Sequence, residues 1–459
     1  MNQEIIFDIE LLQRYDKAGP RYTSYPTAVQ FTEAFDQQAY KQKIEESNAS
    51  NQALSLYFHI PFCDTICFFC ACSKIATKDR SKSPPYLQRV YQEMAMQSEL
   101  FDNKRVVNQL HLGGGTPTFI NPKEMTELME NIRRYYNLRD DDLGEYSIEI
   151  DPREADTETI KVLRDIGFNR ISLGLQDFDP KVQKAVNRIQ SEAVTMRVID
   201  AARDNNFKSI SVDLIYGLPF QTHQSFLHTL DKVIEISPDR ISVFNYAHLP
   251  TIFKPQRRIN EQDLPSLAEK LRILQNTIER LTDAGYVYIG MDHFAKPDDE
   301  LAIAQREGSL YRNFQGYATH ADCDLIAFGV TAISKVGNSY SQNHKTLDQY
   351  YQRIDNNELG VFRGIALTDE DILRRDIITQ LMCHFQLNIT DIEKKYKLDF
   401  NSHFNEIWKP LTDMQNDGLL TFNKTNITVK PAGRLLIRNI CMVFDAYLKM
   451  SEQRFSKVI

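Results

Sequence analysis

Four cysteines, Cys63, Cys67, Cys70 and Cys72, fall within ten residues, whereas Cys323, Cys383 and Cys441 are scattered. Clustered thiolates suit three chemistries: a zinc site, a redox dithiol or an iron–sulfur cluster. Structural zinc usually takes two separated ligand pairs, and no second pair follows at the usual distance. Cys67-x2-Cys70 could be a dithiol, but that motif normally opens a helix in a small thioredoxin-like unit. A 4Fe–4S cluster fits better, because x3 and x2 spacings in a short loop let three thiolates take three corners of a cube. The fourth iron then needs another ligand. Cys72 could supply it, although a Cys-x-Cys pair cannot easily grip adjacent corners beside the other two spacings. An open iron that binds a cofactor is the sharper reading.

The elements around this loop repeat. Short β-branched runs at 54–60, 107–112, 145–150, 170–175, 209–215 and 240–246 alternate with amphipathic helical stretches at 86–101, 123–136, 156–166, 192–205 and 224–236. That alternation predicts βα units, a parallel sheet and a partial barrel of six units. Each strand runs into an unusual segment: PFCDTICFFCAC, GGGTPT, EIDPRE, LQDF, DLIYGLP and NYAHLP. In barrel enzymes the loops at the C-terminal strand ends converge over one mouth, so six such ends in register predict an active site there.

The flanks are different. Residues 1–50 form no clear βα unit, and GPRYTSYPT at 19–27 reads as an extended arm. Residues 51–360 are expected to be the catalytic barrel with its extension. Residues 361–459 form a mainly helical cap, with helices at 372–383, 389–396 and 434–448 and a hairpin at 419–429. That cap is winged-helix-like, which raises a nucleic-acid-binding alternative. The charge balance gives it no support: 54 Lys plus Arg against 62 Asp plus Glu leave a net charge of −8 over 459 residues, so an anionic ligand must be held by local basic groups. Hydrophobic residues at 42% and charged residues at 25% are the usage of an ordinary globular protein. No apolar run reaches the roughly 18 residues that span a bilayer, and the N-terminus is acidic where a signal peptide is basic. A cytoplasmic protein without membrane or nucleic-acid partners is expected, with nothing that requires more than a monomer. Seven cysteines, few and odd in number, argue against a disulfide framework.

The Cys-x3-Cys-x2-Cys loop at the first strand end, followed by GGGTPT at the second, resembles the radical S-adenosylmethionine (SAM) superfamily. PRYTSYPTA, YFHIPFC, the fourth cysteine in CAC, HLGGGTPT, EIDPRE, GLQDF, VNRIQ, DLIYGLP, VFNYAHLPTIF, GMDHFAKPDDELA, RNFQGY and RLLIRNICMVFDAYL look like the oxygen-independent coproporphyrinogen III oxidase (dehydrogenase) family, over nearly the whole chain. Ala71 and Leu112 depart from the pattern, where Gly and Trp are expected.

The resemblance implies that two propionates of coproporphyrinogen III become vinyl groups, with loss of two CO2, giving protoporphyrinogen IX in haem biosynthesis. An unactivated C–H bond must be broken without oxygen, which a cofactor radical does while the protein supplies position. It also implies a 4Fe–4S cluster on Cys63, Cys67 and Cys70, with Cys72 not a ligand, and two SAM molecules. Tyr57, Gly114 and Glu149 match the SAM site on the cluster. Phe69, Gly115, Thr116, Gln176, Arg188, Asp213, Ala247 and Ile333 match the second. An electron donor for the cluster and an electron acceptor are implied partners. Arg21, in the arm, is a candidate ligand for substrate carboxylate, on the expectation that the arm closes over the mouth. Lys296 and Arg312 are weaker candidates. The competing function is a haem chaperone of the related subgroup, against which stand Cys72 and the PRYTSYPTA arm.

Overall fold

The repeated βα signal becomes a parallel sheet because alternate apolar side chains along the strands are buried and most of the intervening helices start on their own caps. In the computed structural model, which describes residues 5–320 and 323–448, the strands are β1 (Leu54–Ile60), β2 (Val106–Gly114), β3 (Glu145–Ile150), β4 (Arg170–Gln176), β5 (Ser209–Tyr216) and β6 (Arg240–Asn245). All neighbours pair in parallel, in the order β6-β5-β4-β3-β2-β1. Such sheets must be covered on both sides; along β1 every residue is buried except Tyr57, which is half-buried.

The connecting helices are specified locally. Pro122–Tyr135 begins at a capping box in which Asn121 and Glu124 satisfy each other's backbone N–H groups, with Pro122 at the first helical position. Thr222 and Ser225 do the same for His223–Ile236, and Asp156 and Ser191 cap Thr157–Asp165 and Glu192–Asp204.

The chain divides into two units. One comprises residues 31–273 and 322–366, the other residues 1–30, 274–321 and 367–459. In the first, a seventh parallel strand, β7 (Asp324–Phe328), pairs with β1 on the side away from β2. Three antiparallel strands follow, β8 (Ile333–Lys335), β9 (Ser339–Asn343) and β10 (Val361–Ala366). Six parallel strands were expected. The seventh is five residues long, wholly buried and nearly eighty residues beyond β6, too short and isolated for periodicity to register. The helix Gln37–Asn48, capped by Asp36, also belongs to this unit.

Beneath the strands' N-terminal ends, Arg105 donates to Asp324 at 2.5 Å with both side chains inaccessible. At the opposite face, Glu93 is buried and accepts from the Gly329 amide at 2.8 Å, Asn343 Nδ2 at 2.7 Å and the Tyr350 hydroxyl at 2.7 Å.

In the second unit, strands Gln386–Asn388, Asn426–Val429 and Leu420–Phe422 form an antiparallel sheet with Asn426–Val429 in the centre. Helices Asp369–His384, Ile389–Tyr396 and Ile437–Met442 accompany it. The segment 19–27 is not a loose arm within this unit. Tyr22 and Tyr25 are buried, the Tyr22 hydroxyl donates to Asp445 at 2.9 Å, and the Ala446 amide donates to the Tyr25 hydroxyl at 3.0 Å. Arg438 donates to the carbonyl of Pro20 at 2.9 Å. Two buried rings and a buried guanidinium hold a polar backbone that the sequence shows only as extended. Among the described residues no helix is long and apolar enough to cross a membrane.

Candidate active site

The cysteine loop leaves β1 through Pro61 and is fixed by backbone bonds. The Ile75 amide donates to Pro61 O at 2.7 Å, that of Thr77 to Cys63 O at 2.9 Å and that of Phe68 to Val186 O at 2.9 Å; Asn187 Nδ2 donates to Ile66 O at 2.8 Å. The loop thus hangs between the ends of β1 and β4. Cys63 and Cys67 are buried, Cys70 is partly buried and Cys72 is exposed.

The GGGT turn at the end of β2 closes against it. Gly115 and Thr116 donate their amides to Ile60 O and Phe62 O, each at 2.8 Å. A Cβ on Gly115 would stand 2.7 Å from the Pro61 carbonyl, and one on Gly114, whose φ is +117°, would stand 2.6 Å from the His59 ring. These glycines, which match the two SAM sites, therefore also make room for the β1 exit itself.

Behind the turn, Glu149 at the end of β3 accepts from the Gly114 amide at 3.1 Å and lies 3.4 Å from His111 Nε2. Burial raises its carboxyl pKa, but His111 and the amide outweigh that and leave it below the ordinary value. Tyr57 stacks on His111 with centroids 5.8 Å apart, and its hydroxyl meets His59 Nδ1 at 3.1 Å. His59 Nε2 lies 3.0 Å from the Ser73 carbonyl. A carbonyl can only accept, so Nε2 carries the proton and Nδ1 accepts from Tyr57. Burial lowers the His59 pKa, keeping the ring neutral.

The guanidinium of Arg188, beyond β4, is buried and donates to Asp151 at 2.9 Å, to the Gly174 carbonyl at 2.5 Å and to Cys67 Sγ at 3.5 Å. Arg153 binds the same carboxylate at 2.6 Å and reaches Cys67 Sγ at 3.7 Å. Burial alone would raise the Asp151 pKa; the two arginines bring it down to about 2. On the other thiol, Thr116 donates to Cys63 Sγ at 3.5 Å, while burial pushes that pKa up to about 11. Asp213 on β5 accepts from Ser172 at 3.2 Å, and burial together with the nearby Glu149 charge raises it to about 6. Gln176 stands in the left-handed region at φ +69°. Phe69 packs on a cluster formed by Val182, Val186, Leu218, Tyr246 and Ile259, and buried Gln256 donates to both Phe69 O, at 3.0 Å, and Ala247 O, at 3.2 Å.

Tyr57, Phe69, Cys63, Cys67, Cys70, Gly114, Gly115, Thr116, Glu149, Gln176, Arg188, Asp213 and Ala247 thus all lie at one end of β1–β6. Ile333 lies on β8, opposite Gln342 and beyond β7. Arg21 belongs to the other unit, where it is paired with Asp292, as do Lys296 and Arg312. Sequence reasoning did not single out His111, Asp151, Arg153 or Gln256. The first three sit in motifs it had quoted, but nothing in the spacing says which side chains turn inward.

Among the described residues no three His, Cys, Asp or Glu side chains converge on a site for a single metal ion. What fits a thiolate-bound cluster is the donor set: three cysteines on one pinned loop, with Thr116 directing a proton at the Cys63 sulfur and Arg153 and Arg188 at that of Cys67. Beside them, Arg188 Nε and Gln176 Oε1 are buried without partners, a donor and an acceptor left for a polar ligand.

Residues 57–233 match the model of the radical SAM superfamily, and residues 367–436 that of the HemN C-terminal domain. Over its whole length the chain is 53% identical to oxygen-independent coproporphyrinogen III oxidase of Pseudomonas aeruginosa, covering 100% of each. Its identity to that of Escherichia coli strain K12 is 50%, covering 100% of this chain and 99% of the relative. The solved structure of coproporphyrinogen III oxidase (HemN) from Escherichia coli, described as a radical SAM enzyme, superposes with a TM-score of 0.93 at 49% identity, over 97% of this chain and 100% of that one. The chain belongs to the oxygen-independent coproporphyrinogen III oxidase family of the radical SAM superfamily.

Proposed function

We propose that this chain carries out the oxygen-independent oxidative decarboxylation of coproporphyrinogen III to protoporphyrinogen IX in porphyrin biosynthesis. The observation that carries this reading is the full-length identity to relatives of that name, in a chain whose cysteine loop, Glu149 and Arg188 meet at one mouth. A 4Fe–4S cluster and SAM bound at this mouth would supply the one-electron, hydrogen-abstracting chemistry that loss of a propionate carboxylate as CO2 requires.

The chain's own part is position and charge. Cys63, Cys67 and Cys70 would hold a 4Fe–4S cluster. Glu149, kept ionised by His111 and the Gly114 amide, accepts from the SAM ammonium or ribose, and Tyr57, steadied by neutral His59, walls that site. Phe69, Gly115, Thr116, Gln176, Arg188, Asp213, Ala247 and Ile333 would hold a second SAM. There the unpartnered Nε of Arg188 and Oε1 of Gln176 provide the free polar groups, because the other Arg188 nitrogens are committed to Asp151, Gly174 and Cys67. Asp213 takes the ribose hydroxyls. Arg21, which pairs with Asp292, is the candidate ligand for a substrate carboxylate. The protein acts as a cytoplasmic monomer that draws electrons from a donor and passes one per decarboxylation to an acceptor.

The test is anaerobic turnover of the reconstituted protein with dithionite, SAM and coproporphyrinogen III, following 5'-deoxyadenosine and the tetrapyrrole by mass spectrometry. Two successive losses of CO2 plus two hydrogens, with matching deoxyadenosine, are expected. SAM cleavage without change in the tetrapyrrole, or haem retention without either, refutes the assignment.

A further inference from the structure

The loop after β6 carries a basic run, Lys254, Arg257 and Arg258, on a short 3-10 turn spanning Lys254–Arg258. Its middle residue, Gln256, is 1% exposed and is the pin. Its Nε2 donates to the carbonyls of Phe69 and Ala247, and its Oε1 accepts from the Leu249 amide at 2.6 Å. Phe69 precedes Cys70 and Ala247 follows β6, so one buried amide ties the basic turn to both the cysteine loop and the strand end. The three cations on either side of it are exposed. Arg258 lies over the Phe68 ring at 5.2 Å, and Arg257 Nε donates to the Pro250 carbonyl at 3.0 Å.

These cations differ from the other arginines around the loop. Arg153 and Arg188 share Asp151, and Arg80 is held by Asp64 and Glu154. Among the described residues, no carboxylate pairs with Lys254, Arg257 or Arg258, although Glu261 and Asp263 follow closely in the chain. Arg258 already rests on an aromatic ring, and Ile252 on the same loop is 54% exposed. An apolar surface beside unpaired cations suits an apolar ligand bearing carboxylates at its edge.

We propose that Lys254, Arg257 and Arg258 are the subsite that grips the propionates of the tetrapyrrole that are not reacting, placing the reacting one over the cysteine loop. This deepens the function proposed above and rests on it. The two guanidiniums take carboxylates in paired hydrogen bonds while the Phe68 and Ile252 side supports the macrocycle.

The test compares Arg257→Gln, Arg258→Gln and the triple Lys254→Gln/Arg257→Gln/Arg258→Gln variant in the reconstituted enzyme, with Arg134→Gln, an exposed arginine on the helix after β2, as the control for net charge. The readouts are the KM for coproporphyrinogen III, the Kd for its stable aromatic form coproporphyrin III, the Kd for SAM and the iron content. Each arginine variant is expected to weaken tetrapyrrole binding roughly tenfold and the triple variant more, with reduced salt dependence and with SAM affinity and iron unchanged. Tetrapyrrole Kd and KM within twofold of wild type, or equal weakening in Arg134→Gln, overturns the subsite while normal wild-type turnover leaves the function standing. A wild-type protein that neither binds nor converts the tetrapyrrole overturns the function and the subsite with it.

Discussion

Asp324→Ala isolates the stability of the sheet-bearing unit from its chemistry. Asp324 opens β7 at the N-terminal end of the sheet, in register with Leu54, away from the mouth. Its carboxylate takes Arg105 Nη2 at 2.5 Å and the Gly337 amide at 2.7 Å, and it also accepts from the Ser47 hydroxyl. The substitution leaves a guanidinium of 0% side-chain exposure with only Gln52 O at 2.6 Å and contacts at 3.4 Å to the Ser47 hydroxyl and the Asn48 amide oxygen. An uncompensated buried charge costs about 3–5 kcal/mol, which at ~2 °C per kcal/mol for a unit of this size lowers its thermal midpoint by roughly 6–10 °C. Removing both charges, as in Arg105→Met/Asp324→Ala, avoids that cost and should be less destabilising than Asp324→Ala alone. Anaerobic calorimetry of the reconstituted protein measures both, and SAM cleavage per folded molecule at 20 °C should match wild type. A single variant within 1 kcal/mol of wild type, or a double variant worse than the single one, refutes the reasoning.

Three further outcomes are expected. Glu149→Gln removes the acceptor charge beside the Gly114 amide and should weaken SAM binding roughly tenfold or more with iron content unchanged, as read by anaerobic equilibrium dialysis. Glu93 has its pKa raised from 4.5 to about 7 chiefly by burial, against the opposing hydrogen bonds of Gly329, Tyr350 and Asn343. The folded state therefore holds a proton that the unfolded chain has lost, so stability falls as pH rises from 4.5 through 7, by about 3 kcal/mol for the full shift; denaturation midpoints against pH should flatten in Glu93→Gln. Gly115→Ala places a methyl 2.7 Å from the Pro61 carbonyl, which only a backbone shift relieves, so the variant should fold but retain less than half the wild-type iron after reconstitution, read by absorbance near 400 nm.

Much of the site was legible because its residues act locally. The spacing of Cys63, Cys67 and Cys70 needs one loop, and Glu149 and Asp213 stand on strands whose boundaries follow from apolar runs and caps; β1 and β3 start and stop where those runs do. Family resemblance carried Arg188 and Gln176 to the same mouth, where each keeps one buried polar atom free. Other features were illegible because they are long-range. β7 is a five-residue apolar run that becomes a sheet strand only beside β1, and Asp151 matters because two arginines from different loops turn onto it. The sequence by itself determined the chemistry class, since ligand spacing and strand-end motifs are properties of short segments. Tertiary structure alone decided which charges are spent on one another and which remain for a ligand: Arg153 and Arg188 on Asp151, Arg21 on Asp292, and Lys254, Arg257 and Arg258 on no carboxylate among the described residues. Pairing depends on a few ångströms between side chains far apart in the chain, and no local pattern encodes that distance.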